Sequence, residues 1–142
     1  MRKRFMKNQR GAALLETAIT LPLILLVSVA IFEFGRAYQT WQVLTNAARE
    51  GARVSIINGT TPDQVKTAVK TYAEVGGLAV TDEQINVNQF KPLGADWTSS
   101  EITVAYPFDF IVLNPVAKMV AGNSKLGEQL TMTAVAVMRN ES

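Results

Sequence analysis

Apolar positions crowd the first third of the chain. From Thr17 to Phe32, TAITLPLILLVSVAIF carries no charge. Widened to Ala12–Phe34 the stretch is interrupted only by Glu16 and Glu33. A spanning helix needs about 20 residues to cross a hydrocarbon core of about 30 Å. The stretch is long enough when its two acids lie near the interfaces. Pro22 falls inside it. An interior proline costs a water-exposed helix about 3 kcal/mol, but membrane helices accommodate it as a local bend.

The helical period continues beyond the apolar run. Ala37, Trp41, Leu44, Ala48, Ala52 and Ile56 recur at helical spacing, while Gln39, Gln42, Asn46, Arg49, Glu50 and Arg53 fall mostly on other faces. One helix is expected to leave the membrane and turn amphipathic. Ala47, Ala48, Gly51 and Ala52 make one side thin enough for close packing. Asn58-Gly59 ends it, with Gly59 suited to a left-handed cap. A second helix starts at Thr61-Pro62-Asp63, with Thr61 as cap and Pro62 in the first turn. Val65, Ala68, Val69, Tyr72 and Ala73 form its apolar face, and Gly76-Gly77 stops it.

From there the period changes to two. Strands are expected over 84–90, 101–106 and 129–138. The first two are joined by a long hairpin loop, KPLGADWTSS, whose Trp97 is expected either to pack over a sheet edge or to stand as an exposed contact. The last strand is apolar on both faces, which predicts a central position. Between the second and third strands Phe108, Phe110, Ile111, Leu113, Val116 and Met119 are dense for an exposed connection. Two readings stand: a docking patch for a partner protein or the membrane surface, or a short helix covering the sheet. The fold class is α+β. A long N-terminal transmembrane helix extends into a small extracytoplasmic domain with a second helix and a three-stranded antiparallel sheet. The expected divisions are a basic leader, 1–11, a transmembrane helix, 12–35, and an extracytoplasmic domain, 36–142, in which 36–57 continues the long helix.

Composition sharpens this in two ways. Charged residues make up 18% of the chain, below the roughly 25% of soluble domains. The pI near 9.0 comes from Arg2, Lys3, Arg4, Lys7 and Arg10, which precede Gly11 with no acid among them. The remainder carries nine basic against twelve acidic residues. The basic charge is therefore topological, placing the N-terminus in the cytoplasm and the domain outside. It is not a nucleic-acid footprint. Without cysteine or histidine, a disulfide framework, a Cys/His zinc site, a thiol nucleophile and a histidine base are excluded. Gly122-Asn123-Ser124-Lys125 lacks the spacing of a phosphate loop, no EF-hand spacing of acids occurs, and Asn58-Gly59-Thr60 reads as a turn. No enzyme, cofactor or metal is expected.

Glu16 discriminates among three readings of the N-terminus. A cleaved secretory signal uses the small residues of Ser28-Val29-Ala30 and leaves Ile31 as the new start. A plain signal anchor leaves Met1 in place. A prepilin-type signal has a short basic leader ending in glycine, a cut before the apolar run, and glutamate as fifth residue of the product. Gly11, Ala12 and Glu16 meet that description. Cleavage creates a charged α-amine on Ala12, and a Glu16 carboxylate from a neighbouring helix neutralises it. A lone charge in lipid is expensive and a pair much less so.

Residues 10–53 resemble the TadE-like family, minor pilins or pseudopilins of tight-adherence (Tad/Flp) pilus assembly. The resemblance rests on Arg10-Gly11, Glu16-Thr17-Ala18, Leu21-Pro22, Glu33-Phe34-Gly35-Arg36 and, most specifically, NAAREGAR from Asn46 to Arg53. LTMTAVAVMRNE near the C-terminus is similar to the family's usual ending. The resemblance implies a type IV pilin-like fold and inner-membrane insertion. It also implies processing by a prepilin peptidase and assembly with a partner pseudopilin, the major pilin and an inner-membrane platform. Thr17 stands where the major pilins tend to carry an aromatic, which fits a minor component. The alternative is a signal-anchored binding or adhesion module with no role in fibre assembly.

Overall fold

The structure, a computed structural model, describes residues 9–92, 98–112, 114–115 and 129–140. Helix α1 runs Gln9–Ser55 and α2 runs Pro62–Val75. A 3-10 turn over Asp82–Gln84 leads into β1 (Ile85–Pro92), β2 (Thr98–Phe108) and β3 (Leu130–Arg139). This is the expected α+β arrangement, a long apolar N-terminal helix followed by a second helix and a three-stranded antiparallel sheet. The start of the basic leader, Trp97, Leu113, Val116, Met119 and Gly122 to Lys125 lie outside the described residues.

α1 is 47 residues long, about 70 Å at 1.5 Å per residue. Gly11 to Ser28 are exposed throughout. The hydroxyls of Thr17 and Ser28 donate to Ala13 O and Ile24 O at 2.9 and 2.8 Å, and Thr20 donates to Glu16 O. The polar side chains of the apolar run thus close on their own backbone. Pro22 lies within the helix and removes the amide that would meet the Ala18 carbonyl.

The outer half of α1 buries Thr40, Leu44, Ala47, Ala48, Gly51, Ala52 and Ser55. A Cβ on Gly51 would stand 2.4 Å from Val69 Cγ2 and 3.3 Å from Ile102 Cγ2. The thin side predicted from sequence is therefore where α1 meets α2 and the sheet. Trp41 does not belong to that side. It is 46% exposed, with its ring 6.2 Å from that of Tyr38. The seam passes through Thr40 and Leu44, a rotation of one residue that leaves the bulky indole on the flank. α1 ends at Ser55, before the Ile57 expected. The following turn is closed by Thr60 N donating to Ile57 O at 3.1 Å, and Gly59 supplies its positive φ of 85°.

α2 begins with a capping box. Thr61 Oγ1 accepts from Gln64 N at 3.4 Å, and Gln64 Oε1 accepts from Thr61 N at 2.9 Å, satisfying two orphan amides of the helix start. Val65, Val69 and Ala73 turn inward, whereas Tyr72 is 41% exposed. At the far end Leu78 N donates to Ala73 O and Gly77 N to Glu74 O, both at 2.9 Å. With Gly77 at φ 81° this is a Schellman closure.

The sheet order is β1-β2-β3. β2 is the central strand and β3 an edge, contrary to the expectation from its two apolar faces. Ala134 and Ala136 pack inward, while Val135 and Val137 on the opposite face are more than half exposed. Alternating β-branched residues suit the pleat of an edge strand as well as a central one. Ile102 pairs with Ala136 and with Val87, and Val104 with Ala134 and Ile85. Ile102, Val104, Leu44, Val65 and Val69 are the large apolar side chains with no exposure. Each stabilises the fold by about 1.5–3 kcal/mol. α1 lies across β2 and β3, and α2 packs against α1 and β1. Asn140 closes the end of the sheet, with its N donating to Thr98 O at 2.9 Å and its Oδ1 accepting from Ser100 Oγ at 2.8 Å.

Candidate assembly surface

The apolar half of α1, Gly11 to Ser28, is covered by no other element among the described residues. The most apolar window of the helix is long enough to cross a membrane once, and none of it is buried. Gly11 and Ala12 lie in the first turn of α1, and a Cβ built on Gly11 would meet nothing within 4 Å beyond its chain neighbours and its own helix backbone among the described residues. Both residues are exposed, although the backbone of the bond between them is helical. Glu16 stands one turn above Ala12 on the same face, by the four-residue spacing of a helix. Its carboxylate is exposed and meets no hydrogen-bonding or charged group among the described residues.

Glu33, the second acid of the apolar run, is placed quite differently. It is 2% exposed. Oε2 accepts from Arg36 Nη1 at 2.7 Å, and Oε1 accepts from the backbone N of Val112 at 2.7 Å. Arg36 also reaches Asp109 O at 3.5 Å and lies 5.1 Å over the Phe108 ring. Phe108 meets Phe110 edge to face, with centroids 5.2 Å apart. Gln129 Nε2 donates to Asp109 Oδ2 at 3.1 Å. The strand-end segment 108–112 is thus strapped to α1 by one carboxylate and one guanidinium. Each charge-assisted bond contributes about 1.5–3 kcal/mol, and a buried charge stripped of its partners costs about 3–5 kcal/mol.

This strap resolves the described part of the dense apolar connection. Phe108 is 3% exposed and lies under Arg36. In this chain it is a covered core residue and not an open contact. Phe110 is half-buried, and Ile111 is 64% exposed. The sequence marked Glu33 only as an interruption and as part of the EFGR block. The available signal was the i,i+3 spacing of Glu33 and Arg36 at the end of a lipid-length run. The partner that completes the site, Val112 N, is 79 residues away and leaves no mark in a local pattern.

Elsewhere an open groove of about 670 Å³ runs between Thr67, Lys70, Thr71 and Glu74 of α2 and Gly77 to Val80. A crevice of about 210 Å³ lies between Val29, Phe32, Glu33 and Arg36 of α1 and Ile111 and Val112 of the strap. No group of three or more potential metal-ligating acids occurs among the described residues.

Residues 11–53 match the model of a family described as TadE-like protein. The matched stretch begins at the Gly11–Ala12 bond, takes in Glu16, Glu33 and Arg36, and ends two residues beyond Gly51. It makes this chain similar to Tad pilus-associated proteins over most of α1. α2 and the sheet lie outside the match. Neither a curated protein nor a solved structure matches the chain.

Proposed function

We propose that the chain is a membrane-inserted minor pilin, or pseudopilin, that takes part in starting or tipping a Tad/Flp-type pilus or a related secretion fibre. The observation that carries this reading is Glu16, a carboxylate with no partner among the described residues, on a stretch of helix, Gly11 to Ser28, that is exposed throughout. An intramembrane acid is costly unless paired. The α-amine released on Ala12 by cleavage after Gly11 is a charge of the right sign at nearly the right depth on a neighbouring helix. A prepilin peptidase makes that cut, and glycine before the bond presents no side chain to it. Glycine also weakens the first helical turn by about 1 kcal/mol, which eases the extended backbone that a protease needs. Assembly then brings a partner pseudopilin, the major pilin and the inner-membrane platform against the apolar half of α1. The N-terminus stays on the cytoplasmic side and the α+β domain lies outside.

The intact mass of the chain extracted from membranes is expected to correspond to a start at Ala12. A start at Ile31 would mean ordinary secretion, and an intact Met1 a plain anchor. Glu16→Ala is expected to leave the protein inserted and to remove it from purified fibres. Fibre content equal to the wild type would instead favour an anchored binding module with its function in the sheet domain.

A further inference from the structure

The strap 108–112 stands at the level of the outer membrane boundary. Ala12 to Phe32 is about 31 Å of helix, close to the roughly 30 Å of a hydrocarbon core. Glu33 therefore falls at the outer edge. Val112 N lies 2.7 Å from Glu33 Oε1, so the strap runs beside α1 at that height. Ile111 is 64% exposed and Val112 is 38% exposed. Both line a crevice whose other walls include Val29 and Phe32, and Val29 lies one helical turn deeper. The exposed apolar surface of the strap is thus continuous with the lipid-length surface of α1. The Glu33 carboxylate and the Arg36 guanidinium beside it face each other and the strap's backbone, and the exposed carboxylate of Asp109 is engaged by Gln129.

We propose that Phe110, Ile111 and Val112 form a second membrane contact, inserting into the outer-leaflet interface beside α1, with Glu33 as the tether that holds them there. The proposal rests on the reading of α1 as a membrane span. Aliphatic and aromatic side chains at this depth gain from burial at the headgroup and acyl boundary. The strap in turn explains how a carboxylate can stand at the end of a lipid-length run. Val112 N and Arg36 satisfy it, and the apolar side chains of the strap cover it from lipid. With the span as a first attachment and the strap as a second, the domain is held against the bilayer and not merely suspended above it.

The chain has no cysteine, so single cysteines can carry a fluorophore in the full-length protein. Ile111→Cys, Phe32→Cys and Val75→Cys would each be labelled with an environment-sensitive dye and placed in phosphatidylethanolamine–phosphatidylglycerol vesicles containing lipid spin-labelled high on the acyl chain. Position 75 is 87% exposed on α2 and serves as the aqueous reference. Labels at 32 and 111 are expected to be quenched and the label at 75 to be unaffected. Adding Glu33→Ala is expected to reduce quenching at 111 about twofold or more while leaving 32 unchanged, because only the tether is lost. A label at 111 as unquenched as that at 75, with 32 quenched, would overturn the lipid contact. Protection at 111 that appears only as the protein-to-lipid ratio rises would assign the surface to a second copy and overturn it too. Quenching at 111 unaltered by Glu33→Ala would overturn the tether. An unquenched label at 32 would remove the membrane span itself, a failure distinct from the others.

Discussion

Gly51 has no side chain at a point where α1, α2 and β2 meet. A methyl group there would meet Val69 Cγ2 at 2.4 Å and Ile102 Cγ2 at 3.3 Å. Gly51→Ala gains about 1 kcal/mol of helix propensity and loses about 1–3 kcal/mol to overpacking. A net loss of about 1 kcal/mol is expected, read as a lowered midpoint in thermal unfolding of the detergent-solubilised chain. Gly51→Leu should fail to fold. At this scale the sequence was informative where a residue's size alone decides its place. The small side of α1 was visible as Ala47, Ala48, Gly51 and Ala52. Trp41 was misplaced because periodicity locates a face only to within a residue's turn, and the indole fits the flank and not the seam. Phe108 could not be assigned to either of its two readings, because a phenyl ring reads the same whether it lies open or under a guanidinium 72 residues earlier in the chain.

Among the elements, the connection from α2 to β1 combines a backbone closure with an ion pair. Lys70 Nζ lies 2.9 Å from Asp82 Oδ1, tying the helix to the 3-10 turn. The hydrogen bond from Lys70 holds the Asp82 carboxyl below its ordinary value of 3.8. A carboxyl with a lowered folded-state pKa stabilises the fold above its unfolded value, and that contribution disappears as pH falls through the folded value. Asp82→Asn is therefore expected to melt below the wild type at neutral pH, with the gap closing in acid below about pH 4. A gap constant from pH 7 to pH 2 would show the pair to be inert. The start and stop of α2 were legible because Thr61, Gly76 and Gly77 act through local hydrogen bonds. Strand order was not. Whether β2 or β3 lies centrally depends on which edge the connection after Phe108 returns to, and that return is not written in either strand's alternation. The irregularity between Asn88 and Lys91, with Phe90 at φ 60°, was equally invisible.

For the whole molecule, the class of fold followed from the change of period along the chain, 3.6 through the helices and then 2. The match over 11–53 covers most of α1, from its exposed apolar run to Gly51 in the seam. The strap that ties 108–112 to α1 could not be seen, because Glu33 and Val112 are 79 residues apart and become neighbours only when the sheet folds back on α1.

One helix runs without interruption from Gln9 to Ser55, gripped by α2 and the sheet towards its C-terminal end and exposed from Gly11 to Ser28. It acts as a drive shaft, so the compass bearing of Glu16 around the membrane normal is locked to that of the sheet. Docking neighbouring subunits through Glu16 would therefore dictate which side of each domain faces the fibre axis. One residue added to the shaft turns its ends against each other by about 100° and lengthens it by about 1.5 Å. An alanine inserted after Leu25 should leave insertion and domain stability intact and exclude the subunit from fibres. Deleting Val27 in the same chain should restore the bearing, and with it the subunit's place in the fibre.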